Sequence, residues 1–506
     1  MSLKLNILAS YVGQFYVMLI SIAMVPLYLQ YMGTEAYGLV GFFAMLQAWF
    51  QLLDLGLTPT MARETARFNG GATDAHSLRR LLRALEVIFI GVAVLAAAGI
   101  ILSANFVAAD WLKVQNLPLE KVKQAIQLMA IIIALRLVCG LYRATVTGFE
   151  KLVWLSTFNI LIATLKFVVI IPFFIFVSVD FVDFFHYQLA VAIAEFAILL
   201  IQAYRFLPDV KKEDASSWAW GPLIKVLKFS FSVAFTSSVW VLVTQTDKLM
   251  LSKLLDLSQY AYFTLAVLVA SGVTVITGPI ASALMPRLAR LSAERDEVAL
   301  VTLYRQATQL VGVVAIPASL ILAVFSEKVL WAWTGDSILA AKVAPILTLY
   351  ALGNGILALG AFPYYLQFAK GDLRLHMIGN VFFLLLLVPT LIWATSVHGM
   401  LGAGYTWLGI NIVYFALWVP QVHRHLVTGL HLKWLADLGP ITLFSMLAAG
   451  ALYFSVDFPA SRALGGVFLA IVGLLALIAA AIGSSFCRHR MQALCMRLVY
   501  AYRVRS

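Results

Sequence analysis

Residues 463–484 read ALGGVFLAIVGLLALIAAAIGS, an apolar segment without a single charged side chain. A helix needs about 20 mostly apolar residues to cross the hydrocarbon core of a bilayer, so this segment is long enough to span it. Thirteen further segments of similar length and apolar character precede it. We predict spans at 6–29, 38–57, 84–106, 124–146, 153–177, 182–205, 225–249, 258–284, 302–326, 339–362, 375–396, 400–421, 437–455 and 463–484.

The overall composition also indicates a membrane protein. Hydrophobic residues make up 62% of the chain and charged residues 12%, whereas an average soluble domain has about 25% charged residues. No loop between the predicted spans is long enough to form a separate soluble domain. The predicted fold class is therefore all-α integral membrane with about fourteen transmembrane helices, and the function is expected within or across the bilayer.

The distribution of Lys and Arg predicts the orientation in the membrane. The net charge is +12, and about 26 of the 36 basic residues lie at the termini or in alternate loops on one side. Basic loops mark the cytoplasmic side, so both termini are expected in the cytoplasm of a multi-pass protein. Because the charge follows the loops, we expect membrane orientation rather than nucleic-acid binding to explain it.

Motifs for familiar enzyme chemistry are missing from the sequence. There is no phosphate-binding GxxxxGK[ST] loop, no HExxH motif and no catalytic Ser or Cys motif. The three cysteines, Cys139, Cys487 and Cys495, form no metal or disulfide pattern. We therefore expect no enzymatic activity, no metal and no cofactor, while coupling to Na⁺ or H⁺ stays open.

A short internal repeat indicates two lobes. Ala36-Tyr37 at the start of predicted span 2 recurs as Ala261-Tyr262 at span 8, an offset of about 225 residues. Parallel repeats usually place the substrate site between lobes, near the bilayer midplane. We predict an N-lobe at 1–206, a cytoplasmic linker at 207–224, a C-lobe at 225–421, two additional spans within 437–484 and a basic amphipathic tail at 487–506 on the inner leaflet.

Ionisable side chains occur within three consecutive predicted spans. Arg136 and Arg143 share one face of span 4, and Asn159 and Lys166 share one face of span 5. Glu195 lies in span 6. With a rise of 1.5 Å per residue, Arg136, Lys166 and Glu195 lie at similar depths, roughly 15–20 Å from the predicted cytoplasmic ends.

Charges at this depth are costly and are functional candidates by default. The excess of positive charge predicts a cationic cavity for an anionic substrate, because guanidinium binds phosphate in a bidentate manner and ammonium supplies a point charge. The structural alternative is that Glu195 only neutralises Lys166 or Arg136. That pairing would still leave one cation unmatched.

Four further charged residues are candidates for a gate or for ion coupling: Asp54, Arg63, Asp247 and Lys248. Asp54, near the inner end of span 2, is expected either to act there or to pair with Arg63 or Arg67. Asp247 and Lys248, at the outer end of span 7, either line an exit or pair locally.

Two parts of the chain resemble a known family. The residues that carry the resemblance are VPLYL at 25–29, YMGTEAYGL at 31–39, LDLGL at 53–57, Arg63-Glu64, Thr246-Asp247-Lys248 and Tyr260-Ala261-Tyr262. They resemble the entry signatures of the bacterial polysaccharide flippases, the O-antigen translocases of the Wzx type. This family belongs to the polysaccharide transporter branch of the multidrug/oligosaccharidyl-lipid/polysaccharide (MOP) exporter superfamily. The resemblance covers about 1–70 and 225–290.

The resemblance implies a two-lobed, V-shaped transporter that works by alternating access in the bacterial inner membrane. Its substrate would be an oligosaccharide repeat unit on undecaprenyl diphosphate, moved from the cytoplasmic to the periplasmic leaflet for O-antigen, lipopolysaccharide or exopolysaccharide synthesis. Membrane lipids are expected partners, and the polysaccharide polymerase machinery is a candidate partner. Arg136, Arg143 and Lys166 would then bind the diphosphate or an acidic sugar beside Asn159. Glu195 would tune their field or take a coupling proton.

Other functions are weighed against this one. A multidrug/cation antiporter would need buried carboxylates, but span 1 has no Asp or Glu from Asn6 to Gln30. A peptidoglycan lipid II flippase usually has an arginine-rich first span, and span 1 contains no arginine. A membrane glycosyltransferase or polymerase would need larger loops. A scaffold without transport would not need cations at mid-depth.

Overall fold

A computed structural model of the chain describes residues 3–72, 74–208, 221–455 and 457–492. These residues are helical almost throughout, and the only β-pairing among them is an isolated bridge between Lys113 and Asp256. The chain forms two compact units, Met1–Ala261 and Tyr262–Ser506.

In its described residues, the first unit contains nine α-helices and the beginning of a tenth. They are α1 Leu3–Ala23, α2 Val25–Phe50, α3 Leu57–Asn69, α4 Ala75–Phe106, α5 Leu119–Gly148, α6 Leu152–Phe167, α7 Ile170–Phe176, α8 Phe181–Phe206, α9 Gly221–Leu254 and the start of α10 Leu257–Ala293. A short π-helix, Val107–Trp111, extends α4.

In the described residues, the second unit contains the rest of α10, nine further α-helices and a last helical stretch at 485–492. The nine α-helices are α11 Glu297–Val324, α12 Ser326–Thr334, α13 Ser337–Gly360, α14 Phe362–Lys370, α15 Arg374–His398, α16 Met400–Val413, α17 Val419–Leu426, α18 Leu430–Ser455 and α19 Arg462–Gly483. A π-helix, Tyr414–Trp418, joins α16 to α17.

The all-α membrane fold is confirmed. In the described residues, twelve helices are long and apolar enough to cross a bilayer. The predicted spans 6–29 and 225–249 have no helix among these twelve, but α1 and α9 occupy those positions. Every predicted span therefore coincides with helical structure.

Aspartate side chains cap the N-termini of several long helices. Asp74 accepts a hydrogen bond from the Ser77 backbone N–H (2.6 Å) at the start of α4. This bond holds the pKa of the Asp74 carboxyl below its usual range. Asp180 caps α8 in the same way through the Val182 N–H (2.9 Å). Such caps satisfy N–H groups that have no partner within the helix.

Helix α5 lies at the centre of the first unit and packs on α3, α4 and α8. The buried side chains around it include Leu81, Leu85, Leu141 and Leu199. Gly148 lets α5 approach α3 closely, because a Cβ atom there would lie 2.5 Å from the Ala62 carbonyl oxygen. Arg136 and Arg143, the candidate site residues on α5, therefore lie on a helix that packs against three others.

Two breaks interrupt the helices of the first unit. Gly33 divides α2 with φ +79° and ψ 166°, a conformation that only glycine adopts without strain. The second break separates α6 from α7 at residues 168–169. Pro172 explains it, because proline has no N–H for the carbonyl of residue 168 and its ring crowds that carbonyl.

The last two helices pack onto the second unit. Helices α18 and α19 pack against each other and against α11. Gln309 of α11 accepts hydrogen bonds from the Ser484 hydroxyl (2.8 Å) and the Phe486 N–H (3.0 Å), which fixes the chain after α19. These contacts are local to the second unit.

The predicted domain boundaries stay predictions. Along the chain, the division between the two compact units falls after Ala261, so α9 belongs to the first unit. Residues 209–220, most of the predicted linker, lie outside the described residues. The same is true of 493–506 in the predicted tail, while residues 485–492 are helical.

Candidate functional site

Three helices of the first unit bring the predicted site residues together. Helix α5 carries Arg136 and Arg143, α6 carries Asn159 and Lys166, and α8 carries Glu195. Each pair on one helix is seven residues apart, so both members share one face. All five side chains belong to one connected group of hydrogen bonds and ion pairs, which also includes two glutamines.

Glu195 is the most buried member of the group. Its Oε2 atom accepts a hydrogen bond from Lys166 Nζ at 2.5 Å, and its Oε1 atom forms an ion pair with an Arg143 Nη atom. The side chain of Glu195 is 3% exposed, whereas those of Lys166 and Arg143 are 14% and 29% exposed. A carboxylate buried to this degree needs such partners, because an unpaired buried charge is very costly.

Arg143 has further partners besides Glu195. Its second Nη atom donates to Asn159 Oδ1, and its guanidinium lies 5.9 Å from the ring centroid of Phe158. Asn159 is therefore a hydrogen-bond acceptor for Arg143 in this structure. The structural alternative paired Glu195 with Lys166 or Arg136. In the structure the carboxylate contacts Lys166 and Arg143 together.

Arg136 is held by neutral partners. Its Nη1 atom donates to Gln47 Oε1 at 2.6 Å, and Nη2 donates to Gln188 Oε1 at 3.5 Å. The guanidinium also lies 5.1 Å from the ring centroid of Phe43. Its Nε atom is buried and has no hydrogen-bond partner in the described residues. The described cluster thus contains three cations but one carboxylate, Glu195, which contacts Arg143 and Lys166. This leaves an excess of positive charge.

Side chains of neighbouring helices bind the backbone carbonyls beside Lys166, at the break between α6 and α7. A helix end leaves carbonyl groups without intrahelical partners. The Tyr187 hydroxyl donates to the Leu165 carbonyl (2.8 Å), and Gln188 Nε2 donates to the Lys166 carbonyl (3.0 Å). The Tyr28 hydroxyl donates to the Phe167 carbonyl (3.1 Å). Side chains of α2 and α8 therefore hold the end of α6 in place.

Sequence reasoning missed Gln47 and the role of Gln188. Gln47 is a neutral residue within an apolar span, and a search for charges passes over it. Gln188 lies seven residues before Glu195 and so on the same face of α8, which was an available signal. Counting amides as well as charges within spans would have added Gln47 to the candidates.

The Asp54 carboxylate has a local partner. Asp54 Oδ1 accepts hydrogen bonds from the hydroxyl and the backbone N–H of Thr58, the latter at 3.1 Å. Arg67, which was a candidate partner of Asp54, lies 3.3 Å from Glu64 instead. Arg63 lies on α3 with Arg67. The structure does not bring Asp54 into the cluster around Glu195.

Asp247 and Lys248 also pair locally. Lys248 Nζ lies 3.3 Å from Asp247 Oδ1 and donates to the Thr244 carbonyl at 2.5 Å. Both residues belong to α9, and Asp247 is buried. In the described residues, no group of three or more His, Cys, Asp or Glu side chains could hold a metal ion.

The fold is similar to that of solved transporters. The lipid II flippase MurJ, in an inward closed conformation, aligns with a TM-score of 0.69 at 14% identity, covering 95% of this chain and 98% of that one. An inward-facing MATE-family multidrug resistance transporter of the MOP superfamily aligns with a TM-score of 0.67 at 14% identity, covering 84% and 99%. A MOP superfamily transporter from Pyrococcus furiosus aligns with a TM-score of 0.58 at 14% identity, covering 83% and 96%.

Sequence comparison gives the family. No curated protein matches the chain with significant similarity. A family model described as polysaccharide biosynthesis protein matches residues 3–292, which cover the first unit from Leu3 onward and more than half of the chain. The chain has the fold of the MOP-superfamily transporters, and it belongs to the polysaccharide biosynthesis protein family.

Proposed function

We propose that this protein is a flippase for oligosaccharide repeat units linked to undecaprenyl diphosphate. It would move them from the cytoplasmic to the periplasmic leaflet of a bacterial inner membrane, for the synthesis of O-antigen or another surface polysaccharide. The observation that carries this proposal is the cluster in which Arg136, Arg143 and Lys166 lie with one carboxylate among the described members, Glu195, which contacts Arg143 and Lys166. Such an excess of cations suits an anionic headgroup, and the family match supports a role in polysaccharide biosynthesis.

The mechanism follows from the chemistry of the substrate. The diphosphate carries the negative charge, and guanidinium and ammonium groups bind phosphate oxygens by charge-assisted hydrogen bonds. The prenyl tail can stay in lipid while the cluster holds the head. Alternating access would come from the rocking of one lobe against the other. If a coupling proton takes part, Glu195 is the carboxylate of the cluster that could accept it.

Antiport of organic cations is the second candidate, because MATE transporters share the fold. The charge of the cluster argues against it, since a cation would meet three basic side chains and one carboxylate that is already paired. Flipping of lipid II is the third candidate and also fits the fold. The described part of α1 has no arginine, in contrast to the pattern expected of that group.

The decisive experiment is complementation of a strain that lacks the gene. Wild type should restore surface polysaccharide, whereas Arg136→Ala/Lys166→Ala should leave it absent and lipid-linked repeat units accumulated. The matched control is Arg290→Ala/Lys433→Ala, which removes two basic side chains from exposed positions. Equal membrane levels of all three proteins establish that the variants insert.

Two results would contradict the proposal. Normal export by the Arg136→Ala/Lys166→Ala variant would show that the cluster is not the binding site. Unchanged polysaccharide in the deletion strain, together with altered resistance to cationic drugs, would favour the antiporter.

A further inference from the structure

The cations of the cluster are compensated in two different ways. Lys166 and Arg143 contact Glu195, so much of their charge is neutralised within the protein. Arg136 contacts the amide oxygens of Gln47 and Gln188 instead. An amide oxygen accepts a hydrogen bond but carries no net charge. Arg136 is therefore fixed in position while its positive charge stays available.

Arg136 also has unused donors. A guanidinium has five N–H groups, and the described contacts use one on each Nη atom. The Nε–H group is buried without an acceptor. Leaving such a donor unpaired costs free energy, and the cost is larger for a charged group. An acceptor that reaches the Nε–H and a neighbouring Nη–H would remove this cost.

We propose that the Nε–Nη edge of Arg136 binds a phosphate of the carrier lipid. Gln47 is then the specificity-determining residue, because its neutral amide holds the guanidinium without compensating its positive charge. The inference rests on the flippase function proposed above and assigns its headgroup contact to one residue. A phosphate offers two oxygens in the geometry that this edge requires.

The remaining members of the cluster have a supporting role. Arg143 and Lys166 hold Glu195 and add a positive field, while Asn159 orients Arg143. Gln188 links the two parts, because its Oε1 atom accepts from Arg136 and its Nε2 atom donates to the Lys166 carbonyl. Displacing Glu195 is therefore not needed for the phosphate to bind.

The test uses the full chain in phosphatidylcholine nanodiscs, with undecaprenyl diphosphate as the probe and undecaprenol as its uncharged counterpart. Gln47→Glu places a carboxylate on Arg136 and tests the charge, while Gln47→Met removes the amide without adding charge. The control Gln30→Glu adds the same charge to α2 at an exposed position. Arg136→Lys keeps the charge but lacks the Nε–Nη edge.

We expect Gln47→Glu and Arg136→Lys each to raise the Kd for undecaprenyl diphosphate about 10- to 100-fold, as for lost hydrogen bonds to a charged group. Gln47→Met should cause a smaller loss, and Gln30→Glu should stay within about fivefold of wild type. Unaltered gel-filtration profiles and melting temperatures would establish folding. Should Gln47→Glu misfold, Arg136→Lys carries the test.

Three outcomes separate the inference from the function on which it rests. Wild-type affinity in both Gln47→Glu and Arg136→Lys would overturn the inference and leave the flippase proposal standing. A wild type that binds undecaprenol as tightly as undecaprenyl diphosphate would contradict the proposed function itself. Displacement of the lipid by glucuronate but not by inorganic pyrophosphate would assign the edge of Arg136 to an acidic sugar and overturn the phosphate contact.

Discussion

At the scale of single residues, Glu195 has to satisfy two cations at once. Its two oxygens serve Lys166 and Arg143 on different helices. Removing its charge would leave both cations close together at depth in the membrane, with no other carboxylate among their described contacts. The cluster therefore depends more on Glu195 for stability than on either cation alone.

Glu195→Gln should lower the free energy of unfolding by roughly 3 kcal/mol, the lower end for a broken buried pair, because Arg143 is 29% exposed and partly screened by solvent. Thermal unfolding in detergent would measure the loss. Glu195→Gln/Lys166→Met should regain much of it, since the double change removes one unpaired charge as well. The exposed Glu294→Gln is the control, and an equal effect from both glutamates would refute the prediction.

The charged members of the cluster could be predicted from sequence, but their pairing could not. Arg136, Lys166 and Glu195 stand out because ionisable residues are rare within apolar spans. Which cation meets Glu195 depends on helix rotation, and periodicity gives only the shared face. Gln47 was missed because an uncharged amide hardly changes the apolar character of its span.

At the scale of elements, the break between α6 and α7 shapes the site. It leaves the carbonyls of residues 165–167 to side chains of α2 and α8. The sequence predicted one span at 153–177, because apolarity does not reveal a break inside a segment. Pro172 was the available local signal. Elsewhere the agreement varies. The spans 182–205 and 463–484 match α8 and α19 within one residue at each end, whereas α2 begins 13 residues before the span predicted at 38–57.

Pro172→Ala should lower glycan export on the order of tenfold or more, while membrane levels stay normal. Alanine supplies an N–H for the carbonyl of residue 168, so the helix can continue and shift Lys166, and small displacements at a site are costly. Complementation of the deletion strain measures export. Pro440→Ala, in α18 of the second unit, is the matched control. Full export by Pro172→Ala would mean that the break does not position the site.

At the scale of the whole molecule, the basic loops predict the orientation, and labelling can test it. Ala72→Cys lies in an exposed loop predicted to be cytoplasmic, and Glu120→Cys lies at an exposed position predicted to be periplasmic. In a chain without its three native cysteines, a membrane-impermeant maleimide should label position 120 in intact spheroplasts. It should label position 72 only in inverted vesicles, and the reverse pattern would contradict cytoplasmic termini.

Gly33 shows how handedness alone can restrict a sequence. No atom lies within 4 Å of the place where its Cβ would be, so there is room for a side chain. Its φ of +79° is nevertheless a conformation that L-residues avoid. The mirror-image residue D-alanine favours positive φ and would fit where L-alanine is strained. At this break within α2, chirality rather than space disfavours the other nineteen amino acids.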